Sequence, residues 1–402
     1  MYIYKAAVVG GGTMGGSIAQ VITYSGLPVV IKDIDDNAVQ KALDKVRSIY
    51  ESRVKKGKMT ATEIEPKIAL ASGTMRYDEF TDVDIVIEAV PEDMNIKKKV
   101  FKQLEEVCPE STILATNTSA LSISEIASAT KRPEKIIGMH FFNPAHVMKL
   151  VEVIPGLQTS EDTVMDVMAF SESLRKLAVR VEECPGFLVN RLLMPYITEA
   201  VIALTEGAAT ATEIDQAMVE FGMPMGPFTL SDMLGLDVCY KVAQIMENAY
   251  GPRMPVALLN QYLFEKGRLG QKAGAGFYDE DGSEKQLQEI IKQIQQQEGL
   301  KRTEFSPERL LYLMVNEAIL VLQEKITSVS DIDIAMMAGT GFPQTIGGPL
   351  KYADKVGLDV ILEGLEKFKN DLGFRFWPAY LLKRMVAAEL LGEKTGRGFY
   401  TH

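Results

Sequence analysis

The chain contains three histidines, His140, His146 and His402. Oxidising an alcohol requires removal of the hydroxyl proton as a hydride leaves the same carbon, and imidazole suits that proton transfer near neutral pH. His402 is the last residue of the sequence, which leaves His140 and His146 as candidate bases. His140 closes the apolar run IIGMHFF, and Glu152 lies in the following run KLVEVI, beyond a turn that begins at Asn143-Pro144. If the two runs pair antiparallel about residue 146, positions 140 and 152 are cross-strand neighbours and the carboxylate can hold one imidazole nitrogen. That contact would fix the tautomer and stabilise the imidazolium that forms. A lone histidine at a strand end is more often a hydrogen-bonded structural residue, so the chemical reading depends on the pair.

A hydride also needs an acceptor. Gly10-Gly11-Gly12-Thr13-Met14-Gly15 satisfies G-x-G-x-x-G directly after a short apolar run and before a helix-length segment. In that setting Gly10 permits the tight turn, Gly12 lets a pyrophosphate approach the backbone and Gly15 allows helix and strand to pack closely. Thr13 and Met14 complete the phosphate-binding turn. Asp33 ends the next apolar run; a carboxylate there accepts two ribose hydroxyls and repels a 2′-phosphate, which favours NAD over NADP.

These residues need a scaffold. Strand-length apolar runs recur at Ala6 to Val9, Val29 to Ile31, Asp84 to Val90, Thr112 to Thr116 and Ile136 to Phe142, with helix-like segments between them. The helix after Gly15 is expected to stop at Gly26. Such alternation predicts an α/β fold of the Rossmann type, a doubly wound parallel sheet covered on both faces. From about Pro185 the strand signals stop and helical periodicity takes over.

The helical part repeats itself. GPFTLSDMLGLD at Gly226 to Asp237 recurs as GPLKYADKVGLD at Gly348 to Asp359, identical at six of twelve positions, and GQKAGAGFY at Gly270 recurs as GEKTGRGFY at Gly392. Asn190-Arg191-Leu192-Leu193 aligns in the same way with Glu308-Arg309-Leu310-Leu311. The expected organisation is a dinucleotide-binding domain over 1–183, an all-α domain over 184–282, a polar connecting helix over 283–304 and a second copy of the all-α domain over 305–402. Ile290, Ile291 and Ile294 give the connecting helix one weak apolar face.

Composition narrows the partners. Forty-three Lys and Arg against 54 Asp and Glu leave a formal charge of -11, which would repel a phosphate backbone, so nucleic acid is not expected. Cys108, Cys184 and Cys239 are too few and too widely spaced for a disulfide framework or a metal cluster; they fit a reducing, cytoplasmic setting with no bound metal. No uncharged apolar stretch approaches the roughly 18 residues of a membrane span. The N-terminal MYIYKAAVVGGG reads as a first strand and not as a secretory signal.

The segments VVGGGTMGGSIAQ, IVIEAVPEDMNIKKKVF, ATNTSALSISEIA, GMHFFNPAHVMKLVEVI and PGFLVNRLL, in this order, resemble the 3-hydroxyacyl-CoA dehydrogenase family over essentially the whole chain, and within it the bacterial 3-hydroxybutyryl-CoA dehydrogenases. The resemblance implies NAD-dependent, reversible oxidation of a (3S)-3-hydroxyacyl-CoA to the 3-ketoacyl-CoA. It implies His140 as general base, Glu152 as its orienting partner, Ser119 as the donor to the reacting oxygen and Asn190 as the contribution of the helical domain. It also places Asp33 on the adenosine ribose and Glu92, Lys97 and Asn117 on the nicotinamide side. By type and position alone, those last three read as ordinary strand-end and first-turn polar residues.

The resemblance further puts Ser52, Lys55 and Lys56, in SRVKKGK, against CoA; a cluster of cations suits its phosphates and equally suits a solvated helix end. Two other readings stay open: a dehydrogenase of a free hydroxy acid, and a non-catalytic nucleotide-binding scaffold. The acyl chain length is not legible. Short members of the family are implied to dimerise through a single helical domain, so two copies in one chain are expected to pair internally and give a monomer, with a dimer through some further surface left open.

Overall fold

The computed structural model describes residues 1–402 and divides into two compact units, Met1–Phe187 and Leu188–His402. In the first, β1 (Ala6–Val9), β2 (Val29–Lys32), β3 (Ala71–Thr74), β4 (Ile85–Glu88), β5 (Ile113–Thr116), β6 (Ile136–Phe141), β7 (Leu150–Pro155) and β8 (Leu177–Arg180) form one sheet in the order β3-β2-β1-β4-β5-β6-β7-β8. Neighbouring strands from β3 across to β6 are parallel; β7 runs antiparallel to β6, and β8 is parallel to β7. The strand order reverses between β1 and β4, which opens a crevice at the carboxyl ends of the strands where such sheets bind ligands.

Six helices cover this sheet: α1 (Thr13–Tyr24), α2 (Asp36–Lys55), α3 (Ala61–Ile68), α4 (Met94–Val107), α5 (Ile123–Ala127) and α6 (Glu161–Ser173). β1, β4 and β5 are buried throughout, which is why they read as near-continuous apolar runs, broken only by Glu88 and Thr116 at the ends of β4 and β5. Ile18 and Ile22 of α1, Val46 and Tyr50 of α2, and Val164, Val167 and Phe170 of α6 complete the core. Each fully buried side chain of this size is worth roughly 1.5–3 kcal/mol. The expected helix after Gly15 begins earlier, at Thr13, with Gly12 as its N-cap, so the last turns of the glycine motif are already helical and present free N–H groups.

The second unit is all-helical. α7 (Val189–Thr205), α8 (Ala211–Phe221), α9 (Pro227–Leu234), α10 (Leu236–Tyr250) and α11 (Leu258–Glu265) are followed by α12 (Lys285–Glu298), and then five helices matching the first five in length to within one residue return as α13 (Pro307–Gln323), α14 (Val329–Thr340), α15 (Pro349–Val356), α16 (Leu358–Leu372) and α17 (Tyr380–Ala387). The repeated motifs hold the same internal bonds. Asp215 accepts from the amides of Phe228 and Thr229 and from the Tyr278 hydroxyl, as Asp333 accepts from Leu350, Lys351 and Tyr400. Asp232 and Asp354 likewise each cap the Phe-Tyr end of their own glycine-rich loop.

The two copies meet with reciprocal contacts. Arg191 Nε donates to Glu317 Oε1 at 2.7 Å and Arg309 Nε to Glu199 Oε1 at 2.5 Å, all four side chains being buried. Gly222 abuts Pro343, and Gly341 abuts Pro224. Residue i meeting j′ while j meets i′ is the signature of a two-fold interface, here within one chain. α12 differs from expectation in its apolar stripe: Leu287, Ile291 and Ile294 are buried, at four- and three-residue steps, whereas Ile290 falls at the margin of that face.

Candidate functional site

β6 and β7 pair in the register that puts His140 opposite Glu152. His140 Nδ1 lies 2.7 Å from Glu152 Oε2; Glu152 is fully buried and His140 is 6% exposed. A buried carboxylate at that distance holds the proton on Nδ1 and leaves Nε2 as the nitrogen able to take another. The turn joining the two strands carries a cis Asn143–Pro144 bond. Phe142, two residues on from His140 and just past the end of β6, places its ring 4.5 Å from the imidazole.

Ser119 lies in the loop after β5, and Glu92 organises that loop. Its Oε1 accepts from the Ser119 amide at 2.9 Å, from the Ser119 hydroxyl at 3.3 Å and from the Thr118 hydroxyl at 2.6 Å. Burial pushes the Glu92 carboxyl up, but the Lys97 ammonium at 3.3 Å and the Thr118 and Ser119 donors outweigh it and hold the group below its ordinary value. Lys97 is itself buried and donates to Glu88 Oε1 at 2.8 Å, while Thr116 donates to Glu88 Oε2 at 2.6 Å. The pair thus ties α4 to the ends of β4 and β5. Asn117 Oδ1 accepts from the Phe141 amide at 2.8 Å and locks the end of β5 to the end of β6. Ser119, Glu92, Lys97 and Asn117 therefore stand at the carboxyl edge that also carries His140.

At the switch point, a cavity of about 790 Å³ is lined by Gly10, Gly12, Thr13, Met14 and Asp33 together with Tyr77, Ile96 and Gln103. The glycines behave as their spacing demands. Gly10 has φ +98, and a Cβ there would lie 2.5 Å from the Ala89 carbonyl; a Cβ at Gly15 would lie 1.7 Å from the Gly10 carbonyl; Gly12 faces open space. Asp33 Oδ2 accepts from the Gly11 amide and Oδ1 from the Ile34 amide, each at 2.6 Å, so its carboxylate is anchored beside the turn. The open face at Gly12 and the helix N-terminus behind it fit a dinucleotide pyrophosphate, and Asp33 fits a ribose diol.

The basic segment sits at the end of α2. Lys55 is exposed in its last turn, Ser52 is half-buried one turn earlier and Lys56 caps it. Burial and the charges of Lys45, Lys176, Arg53 and Lys56 hold the His146 imidazole below its ordinary value. The charges of Lys56 and Arg53, both in the SRVKKGK segment, thus reach His146 in the loop that follows His140, joined by Lys45, which the sequence did not single out. Asn190 is the second residue of α7 and belongs to the second unit. Glu88 and Thr116 were also missed by sequence reasoning; each looks like a strand residue until the fold brings Lys97 to them.

The NAD binding domain of 3-hydroxyacyl-CoA dehydrogenase matches residues 5–184, and the C-terminal domain of the same family matches both 186–280 and 305–402. The chain is 40% identical over 392 residues to the fatty acid oxidation complex subunit alpha of Shewanella amazonensis, covering 96% of this chain and 55% of that protein. It thus spans about half the length of the curated relatives it matches. The crystal structure of 3-hydroxybutyryl-CoA dehydrogenase from Escherichia coli superposes with a TM-score of 0.88 at 32% identity over 97% of this chain and 99% of that one. The (S)-3-hydroxybutyryl-CoA dehydrogenase of Ralstonia eutropha gives 0.68 at 42% identity, covering 69% and 99%. With both halves of its sequence matched, the chain belongs to the 3-hydroxyacyl-CoA dehydrogenase family.

Proposed function

We propose that the protein oxidises (3S)-3-hydroxyacyl-CoA thioesters to 3-ketoacyl-CoA, reversibly and with NAD, and that short acyl chains such as 3-hydroxybutyryl are its substrates. The observation that carries this reading is the buried His140–Glu152 pair at the edge of a dinucleotide crevice. NAD, when bound, accepts the hydride. His140 Nε2 takes the hydroxyl proton, and Glu152 stabilises the imidazolium at Nδ1. Ser119, held by Glu92, donates to the reacting oxygen, Asn190 completes the site from the helical unit, and Asp33 selects NAD. Glu92, Lys97 and Asn117 shape the nicotinamide side.

The short-chain reading is supported by the two similar 3-hydroxybutyryl-CoA dehydrogenases. The CoA reading is supported by the cations gathered toward His146; Lys56 would meet the CoA phosphates, with Ser52 and Lys55 on the same helix end. A steady-state survey of acetoacetyl-CoA, longer 3-ketoacyl-CoAs and free acetoacetate, each with NADH and NADPH, tests it. Highest kcat/KM with acetoacetyl-CoA and NADH is expected. Preference for the free acid would overturn the thioester reading, and no turnover with any of them would favour a nucleotide-binding scaffold.

A further inference from the structure

We propose that Phe187 is a positioning residue for His140: its ring forms the second aromatic wall of the imidazole and fixes the plane in which the base works. The proposal rests on the reading of His140 as the base and adds a residue that the reaction has so far not required.

The imidazole has two ring neighbours. Phe142, at 4.5 Å and 53°, is a local neighbour, two residues on from His140 and just past the end of β6. Phe187, at 5.8 Å and 57°, comes from a distant stretch and needs its own explanation. Cys184-Pro185-Gly186-Phe187 makes a tight turn: the Phe187 amide donates to the Cys184 carbonyl at 2.9 Å, and Gly186 has φ +77, as a Pro-Gly type II turn requires. The Cys184 thiol, 3.2 Å from the Phe187 carbonyl, holds the other side of the same residue. Phe187 therefore has little freedom, and the conformation imposed on it is φ +51. A bulky side chain rarely occupies that region, where glycine would sit without strain. Yet the residue is phenylalanine, and its ring is 1% exposed against His140.

The hydrogen bond to Glu152 fixes one point on the imidazole but permits tilting about that point. Two tilted aromatic faces remove the tilt, so Nε2 keeps one direction, and they exclude water from the Nδ1–Glu152 bond, which strengthens it. Misdirecting a base by an ångström can cost up to about a hundredfold in rate. If Phe187 were core filling only, its loss would lower thermal stability and leave the imidazole geometry intact.

The test combines kinetics with proton NMR on the full chain. The Nδ1 proton of His140 is expected as a downfield, exchange-protected signal, assigned by its loss in Glu152→Gln. Phe187→Gly, which relieves the backbone and removes the ring, is expected to lower kcat about 10- to 100-fold, with KM and the Kd for NADH within about twofold, and to abolish the protected signal. Phe187→Leu keeps apolar volume without the flat face. It should fold even if the glycine variant does not, lower kcat about three- to tenfold and speed exchange of the same proton. A protected signal and kcat within twofold of the parent in either folded variant would overturn the proposal, as would a fall in Tm with no change in the signal. The signal needs no turnover. Its loss in the variants of a parent that turns over no thioester would therefore fault the reading of the reaction and uphold the positioning.

Discussion

A carboxylate on Nδ1 and two tilted rings beside the imidazole leave His140 one useful nitrogen, and the consequence is measurable in variants. His140→Asn should lower turnover on acetoacetyl-CoA by about 10² to 10⁴ while NADH binding, followed by fluorescence titration, stays nearly constant, because proton transfer is lost and little binding surface. Glu152→Gln should lower turnover too, since an amide can present its NH2 to Nδ1, favour the wrong tautomer and no longer offset the imidazolium charge. Near-normal turnover in either variant, with chemistry limiting, would remove that residue from its role. Asp33 acts at the other end of the crevice. Its anchored carboxylate should give NAD a strong preference over NADP, and Asp33→Ala should narrow the ratio of kcat/KM values; equal efficiency with both cofactors in the unmutated protein would contradict the assignment.

At the scale of elements, the sequence reveals what local chemistry decides and hides what partners decide. β1, the glycine turn and α1 are legible because apolar runs and glycine spacing have one reading, and the β6–β7 register is legible because the turn after Asn143 leaves a single centre of pairing. β3 is not: ASGT is a partly exposed edge strand with no apolar alternation to announce it. β8, also at an edge, is half-covered and equally quiet. Nor could Lys97 be read as the buried partner of Glu88, since only the docking of α4 onto β4 joins them. Lys176 is a further case. Its buried ammonium donates to the carbonyls of Ala145 and Met148, pinning the turn between His140 and Glu152, and burial lowers its pKa to about 8. The unfolded value is about 10.4, so between the two the unfolded chain binds more protons and stability rises with pH, an increment lost again as pH falls through about 8. Between pH 7 and 9 the unmutated protein should gain about 1 kcal/mol relative to Lys176→Met in urea titrations. Parallel pH profiles would show that this ammonium is not so strained by burial.

For the whole molecule, the repeat was visible as matching words, but its purpose lies in the reciprocal arginines. Arg191 of α7 meets Glu317 of α13 and Glu324, which caps that helix, while Arg309 of α13 meets Glu199 of α7 and Glu206, its cap. Arg253 and Arg375 extend the two halves of the network to Glu317 and Glu199. Since α7 with its cap carries both an arginine and the matching glutamates, its face is self-complementary: two first copies could pair as the first pairs with the second. The intact chain satisfies that face internally and is expected to be a monomer. Truncation after about Gly282 would strip Arg191 and Glu199 of their ion-pair partners in the second copy beside freshly exposed apolar surface, a costly state for charges otherwise buried. The truncated chain should therefore dimerise, Arg191 of one meeting Glu199 of the other, or aggregate. Adding Arg191→Glu to the truncated chain should abolish the ordered dimer by bringing like charges together. Light scattering on the full-length and truncated chains, with NADH titration to confirm that the first unit is folded, separates the outcomes. A full-length dimer built through the second copy, or a truncated chain that remains monomeric and fully active, would refute internal pairing.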